Sequence, residues 1–259
     1  MSYQTILVHD AGPVRTITLN RPERRNAMTP VMQEELITAM KEAESSKCRV
    51  VVFAGTGESF CSGLDLTVLR GMKHVSVAEY RNDVERIARL FRTLYELPKP
   101  TIAKVHGAAI AGGTGLAMIC DFTLAAKTAM FGYTEVRIGF VPALVSAYLA
   151  LQVGDKRARD LLLTARIFDA SEALRLGLVN EVVAVEELGA RVRALAESLV
   201  ANSPQSLGAT KRLLAAQNKA WLDAAIAEAM EANSQARESQ DFQEGIAAFL
   251  EKRKPTWTE

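Results

Sequence analysis

The chain has 259 residues, 49% of them hydrophobic, and a formal net charge of +1. That is enough for one large core, or a core with an appendage, and too balanced a charge to draw nucleic acid or an anionic membrane by a global field. The three cysteines, Cys48, Cys61 and Cys120, have an odd count and no metal-type spacing, so a reducing compartment is expected, with neither a disulfide framework nor a metal site.

Residues 1–5 carry no basic start followed by an apolar core and no Arg-rich amphipathic stretch, which predicts a cytoplasmic chain without a leader. The uncharged stretches between His106 and Asp121 and between Arg137 and Asp155 fall short of the roughly 20 apolar residues of a membrane span. Short β-branched runs at 5–8, 14–19, 49–54, 101–105 and 122–125 predict strands. Between them, Thr29-Pro30 reads as an N-cap with proline at the first helical position, opening a helix through Lys41, and 76–97 has a long helical period. This alternation predicts an α/β core. From about residue 185 strand signals stop, and helices are expected over 188–200, 207–214, 221–237 and 241–249, with a stop and restart at Asn202-Ser203-Pro204. The expected division is a core domain over 1–200 and a helical region over 201–259, joined without a Gly/Ser-rich linker. Alanine-rich helices such as 221–232 suit packing either within the chain or against another subunit.

Two loops stand out. Gly107-Ala108-Ala109-Ile110-Ala111-Gly112-Gly113-Thr114-Gly115 follows the strand at 101–105 and runs into the apolar Leu116-Ala117-Met118-Ile119. Phe60-Cys61-Ser62-Gly63-Leu64-Asp65-Leu66 follows the strand at 49–54 and precedes another helix. Glycines let a ligand approach the main chain, and a helix start offers unpaired N–H donors and the positive end of a dipole. The first loop lacks full G-x-G-x-x-G spacing and sits mid-chain, which disfavours a dinucleotide fold; no Gly-Lys-Ser/Thr follows, which excludes a P-loop. The pair of loops fits an oxyanion hole, two backbone donors aimed at a thioester oxygen that gains charge as an enolate forms. A lone glycine turn of this kind would more simply serve close helix–strand packing.

Further segments accompany the loops: Ile17-Thr18-Leu19-Asn20-Arg21-Pro22 with Arg25-Asn26-Ala27, Phe131-Gly132-Tyr133-Thr134-Glu135, Leu174-Arg175-Leu176-Gly177-Leu178-Val179-Asn180, and the tail Glu251-Lys252-Arg253-Lys254. In order and spacing the whole set resembles the crotonase (enoyl-CoA hydratase/isomerase) superfamily. The resemblance implies a spiral of repeated strand-strand-helix units, a helical C-terminal region for trimerisation and often hexamers, and a coenzyme A thioester as substrate with no separate cofactor. It assigns the oxyanion amides to Leu64 of one loop and Gly112 of the other, makes Ser62, Gly63, Asp65 and Leu66 around Leu64 part of the coenzyme A binding surface, and makes Arg25 and Lys252 partners for the coenzyme A phosphates, the latter across a subunit boundary. As bare sequence, either cation could equally be a solvated surface charge.

Family hydratases place two glutamates around the substrate. Here Glu135 holds one position and Gly115 the other. Hydration delivers water to the β-carbon and a proton to the α-carbon, work that two carboxyls can divide. One carboxyl can still move a proton between carbons, which is isomerisation, or serve hydration with help from another polar group. Glu135 is the expected general acid/base; as bare sequence it also reads as a glutamate stabilised in the first turn of a helix. Residues 134–143, with Ser146, Tyr148 and Gly115, resemble a bacterial subgroup that includes methylglutaconyl-CoA hydratases, which favours hydration over the alternatives of a single-glutamate isomerase or a non-catalytic acyl-CoA-binding protein. Ser146, Tyr148 and Tyr133 are each open as sources of the missing hydrogen bond or as structural groups. Asp65 and Asp121 read as structural, Asp65 capping the helix after its loop. No histidine is spaced to activate Cys61 or Cys120, and His106 reads as a loop-entry residue. Residues 67–75 are expected to border the acyl pocket, and a Gly115→Glu change is expected to alter the hydration rate rather than folding.

Overall fold

The computed structural model describes residues 3–71 and 77–258. The chain opens with an antiparallel hairpin, β1 (Ile6–Ala11) and β2 (Val14–Leu19), followed by α1 (Pro30–Ser45). Thr29 caps α1 as the sequence predicts, its Oγ1 accepting from Met32 N–H at 3.2 Å. Then come β3 (Val50–Gly55), β4 (Ser59–Cys61), α2 (Leu66–Gly71) and α3 (Val77–Glu96). The next units are β5 (Thr101–Val105), β6 (Ala108–Ile110) and α4 (Gly112–Ile119), then β7 (Phe122–Ala126), β8 (Met130–Gly132), α5 (Ala143–Val153) and α6 (Asp155–Thr164). Two single-strand units close the α/β part: β9 (Ile167–Asp169) with α7 (Ala170–Leu176), and β10 (Glu181–Val183) with α8 (Val185–Ala201).

After the opening hairpin, each strand pair divides itself between two sheets. Strands β1-β2-β3-β5-β7-β10 form one sheet, parallel after the first hairpin, and β4-β6-β8-β9 form the other, parallel except at its β8/β9 edge. Advancing one unit moves the chain one strand along both sheets, which is the expected spiral of repeated ββα units. Sequence periodicity finds the long strands of the first sheet but not the second sheet, whose members are three residues each, too short to show alternation.

The C-terminal part holds α9 (Pro204–Glu238) and α10 (Gln240–Leu250). The restart at Ser203-Pro204 is present, Ser203 Oγ accepting from Ser206 N–H at 3.3 Å. The two helices expected over 207–214 and 221–237 are one continuous 35-residue helix, because residues 215–220 hold no proline or glycine to break it. Leu222, Ile226 and Ala229 of α9 join the main hydrophobic core with α1, α3, α4 and α5. No helix among the described residues is long and apolar enough to cross a membrane.

Candidate active site

The two glycine-bearing loops lie side by side, Cys61 pairing with Ala109 across β4 and β6, and Met28 packs along the first of them. Met28 N–H donates to Gly63 O at 2.7 Å and Asp65 N–H to Met28 O at 3.0 Å, forming an isolated parallel bridge. In that pairing the residue between, Leu64, turns its own N–H to the opposite side. Gly63 makes the turn with φ +89; a Cβ on it would stand 3.0 Å from Ala111 Cβ, 3.0 Å from Ile110 O and 3.5 Å from Gly112 N. Glycine is needed there both for the positive φ and for the approach. Gly112 is the first residue of α4, so its N–H has no acceptor within the helix. Ala111 before it adopts φ 52, ψ −125, a region costly for any residue with a Cβ, and this fixes the direction of the Gly112 amide.

Asn26 braces the first loop from behind. Wholly buried at φ 54, it accepts from Arg21 N–H at 2.8 Å and donates Nδ2 to Thr56 O at 2.9 Å and Ser59 O at 2.8 Å. Asp65 is structural: it pairs with Arg21 at 3.1 Å and its Oδ1 accepts from Thr67 N–H in the first turn of α2. Asp121 likewise ties strands and helices together, accepting from Thr101 N–H and from Lys211 Nζ at 2.6 Å. Cys61 is buried, its thiol pushed up to about 12 by burial, and Cys120 is buried and shifted in the same direction. His106 Nε2 is hydrogen-bonded to Gly57 O at 2.8 Å, at the entry to the glycine loop.

Arg25, Ser62, Leu64, Leu66, Gly112 and Glu135 all line one cavity of about 300 Å³. Gly63 and Asp65 lie behind its wall as backbone hinge and helix cap. Lys252 is outside the lining, at φ 56 just past α10, with its N–H on Phe249 O at 3.2 Å; Phe249 itself reaches the cavity. Leu66 and Leu69 of the 67–75 region and its approach line the cavity, whereas 72–75 and Ser76 lie outside the described residues.

Glu135 opens a short 3-10 turn at Glu135–Ile138. It is 9% exposed, and its Oε2 is buried with no hydrogen-bond partner among the described residues. Burial pushes the carboxyl from 4.5 up to about 7, against a smaller lowering by its own backbone N–H. Among the described residues lining the cavity, Glu135 and Arg25 are the titratable ones. The remainder is largely apolar, with Met28, Ile87, Phe91, Leu144 and Val145 among them.

The second carboxylate position is closed. A Cβ on Gly115 would meet Val145 Cγ1 of α5 at 2.5 Å and Phe91 Cζ of α3 at 3.5 Å. A glutamate entering here has to displace the Val145 side chain, which sets a steric cost against the expectation that folding is unaffected. None of the three groups considered as substitutes lines the cavity. Ser146 Oγ donates to Ala143 O at 2.6 Å, Tyr148 packs edge-on to Phe91 with its buried hydroxyl lacking a hydrogen-bond partner among the described residues, and Tyr133 is buried behind the wall. Sequence reasoning missed Thr134, Asn233 and the apolar walls. Thr134 adjoins Glu135 and was within reach of inspection, but Asn233 comes from α9, almost a hundred residues from Glu135, and no local pattern points to it.

The cavity is largely apolar and brings one buried carboxyl, Glu135, together with Leu64 and Gly112, a combination that an enzyme site for acyl chemistry can use. The family model for enoyl-CoA hydratase/isomerase matches residues 10–259, and the chain belongs to that family. It is 44% identical over 248 residues to an enoyl-CoA hydratase homologue of Thermus thermophilus, covering 95% of this chain and 98% of that one. It is 34% identical to the short-chain-enoyl-CoA hydratase of Clostridium acetobutylicum, covering 98% and 97%. The crystal structure of an enoyl-CoA hydratase from Mycobacterium avium subsp. paratuberculosis superposes with a TM-score of 0.89 at 29% identity over the whole of both chains.

Proposed function

We propose that the protein is an acyl-CoA hydratase that adds water to a 2-enoyl-CoA thioester, with Glu135 as its general base and acid. The observation that carries this reading is Glu135 itself, a buried carboxyl shifted to about 7 in the same cavity as Leu64 and Gly112. Glu135 takes a proton from water while the water oxygen bonds to the β-carbon. The π electrons move toward the thioester oxygen, where the Leu64 and Gly112 N–H groups receive the charge. Protonated Glu135 then returns the proton to the α-carbon, the carbonyl re-forms, and the carboxylate is regenerated, so one carboxyl serves both transfers. Arg25 at the cavity and Lys252 beyond it are assigned to the coenzyme A phosphates, and coenzyme A arrives with the substrate rather than as a cofactor. Residues 201–259 form the assembly region of a cytoplasmic homotrimer or hexamer; the exposure of Leu213, Leu214 and Trp221 along α9 supports this. Residues 134–143 with Gly115 support placement beside the methylglutaconyl-CoA hydratases.

A single-glutamate isomerase is the second reading, favoured by the filled Gly115 position. Incubation with matched 2-enoyl and 3-enoyl thioesters, followed by mass spectrometry, separates the two. Gain of one water supports hydration, a positional isomer of unchanged mass supports isomerisation, and binding without conversion leaves an acyl-CoA carrier.

A further inference from the structure

Behind the cavity, α1, α3 and α9 share a polar cluster that the hydration steps do not use. Asp83 of α3, 4% exposed, holds Arg237 of α9 at 2.7 Å and also pairs with Arg86, whose Nε donates to Gln33 Oε1 of α1 at 3.0 Å. The Arg237 guanidinium lies 5.9 Å from the Tyr80 ring centroid and 6.0 Å from that of Phe140. Its Nε donates to Asn233 Oδ1 at 3.0 Å, and Asn233, itself 4% exposed, lines the same cavity as Glu135.

That hydrogen bond fixes the orientation of the amide. A guanidinium has donors only, so the oxygen of Asn233 must face Arg237 and the NH₂ group must turn away from it. Among the described residues the Nδ2 meets no acceptor, and Asn233 lines the cavity. An Nδ2 can only donate. Held by an arginine that is itself held by a buried aspartate and two rings, this donor is preorganised in a wall that is otherwise mainly apolar.

We infer that Asn233 is a specificity residue whose Nδ2 donates to an oxygen carried on the acyl group, away from the thioester, so that the preferred substrate is an oxygen-bearing rather than a plain hydrocarbon acyl chain. This deepens the hydratase reading and rests on it for the thioester, but its test needs only binding. Full-length protein is titrated calorimetrically with glutaryl-CoA, its terminal methyl ester, and pentanoyl-CoA. The expected result is tighter binding of one or both oxygen-bearing thioesters; preference for the acid alone identifies a carboxylate acceptor, and preference for both identifies a neutral carbonyl as sufficient. Asn233→Asp keeps an oxygen for Arg237 while removing the donor, and Asn233→Leu removes the donor without adding charge. Either should cut the preference on the order of tenfold or more. Equal affinities in the wild type, or a preference that survives both substitutions, overturns the inference. Absence of water addition to any 2-enoyl thioester, with the binding preference intact, would instead count against the hydratase reading alone.

Discussion

Val145 Cγ1 stands 2.5 Å from the point a Gly115 Cβ would occupy, so α5 fills from one side the space that α4 leaves on the other. Introducing Gly115→Glu alone overpacks this contact and should destabilise the protein by about 1–3 kcal/mol, with a lowered Tm. Adding Val145→Ala should recover the fold and, with a second carboxyl now in reach of the cavity, raise the hydration rate. A single variant that melts like wild type would show that α5 moves aside freely.

Glu135→Gln leaves the shape of the cavity and the Leu64 and Gly112 amides in place but removes the proposed proton carrier. Turnover should fall by about 10²–10⁴-fold while binding of a saturated acyl-CoA persists. Since the proposed first step needs the carboxylate, wild-type kcat/KM should decline as pH falls through about 7. Unchanged turnover in the variant, or a pH profile flat between 6 and 8 (roughly the span set by a single titration), would remove Glu135 from the mechanism.

The same carboxyl links stability to pH in the direction opposite to a salt-bridged acid. Its folded pKa is raised from 4.5 to about 7, so the folded state binds the extra proton between those values and stability falls as pH rises through that window. Relative to Glu135→Gln, wild type should lose about 3 kcal/mol between pH 4 and pH 8. Denaturant unfolding of the two proteins at both pH values measures this, and parallel pH profiles would mean that the carboxyl is solvated.

Asn26, itself wholly buried, joins the Arg21 turn to the strand end at Ser59 through three side-chain hydrogen bonds. Asn26→Ala strands an N–H and two carbonyls and should cost at least about 2 kcal/mol. Because Leu64 is fixed through Met28 just beyond this turn, kcat should drop further than KM changes. A variant with lowered stability but unaltered kcat would separate the turn from the proposed donor at Leu64.

Much of the site is legible in the chain because its chemistry lies in short local segments. Gly63 and Gly112 advertise close backbone approach, and Thr29-Pro30 and Ser203-Pro204 mark helix starts that the structure contains. The hidden parts are those made by crossing elements. The second sheet is built from three-residue strands with no readable period, and the 35-residue α9 runs through an expected break. By itself the sequence determined the α/β alternation, the two glycine-bearing loops and the position of Glu135, since each follows from spacing within a few residues, whereas the spiral came from the resemblance of the whole set of motifs. Only the tertiary structure decided that Val145 closes the place beside Gly115, that Glu135 is buried enough to titrate near neutrality, and that Asn233 faces the same cavity. Those properties depend on which distant side chains exclude water or fill volume at a point, and no stretch of chain encodes that alone.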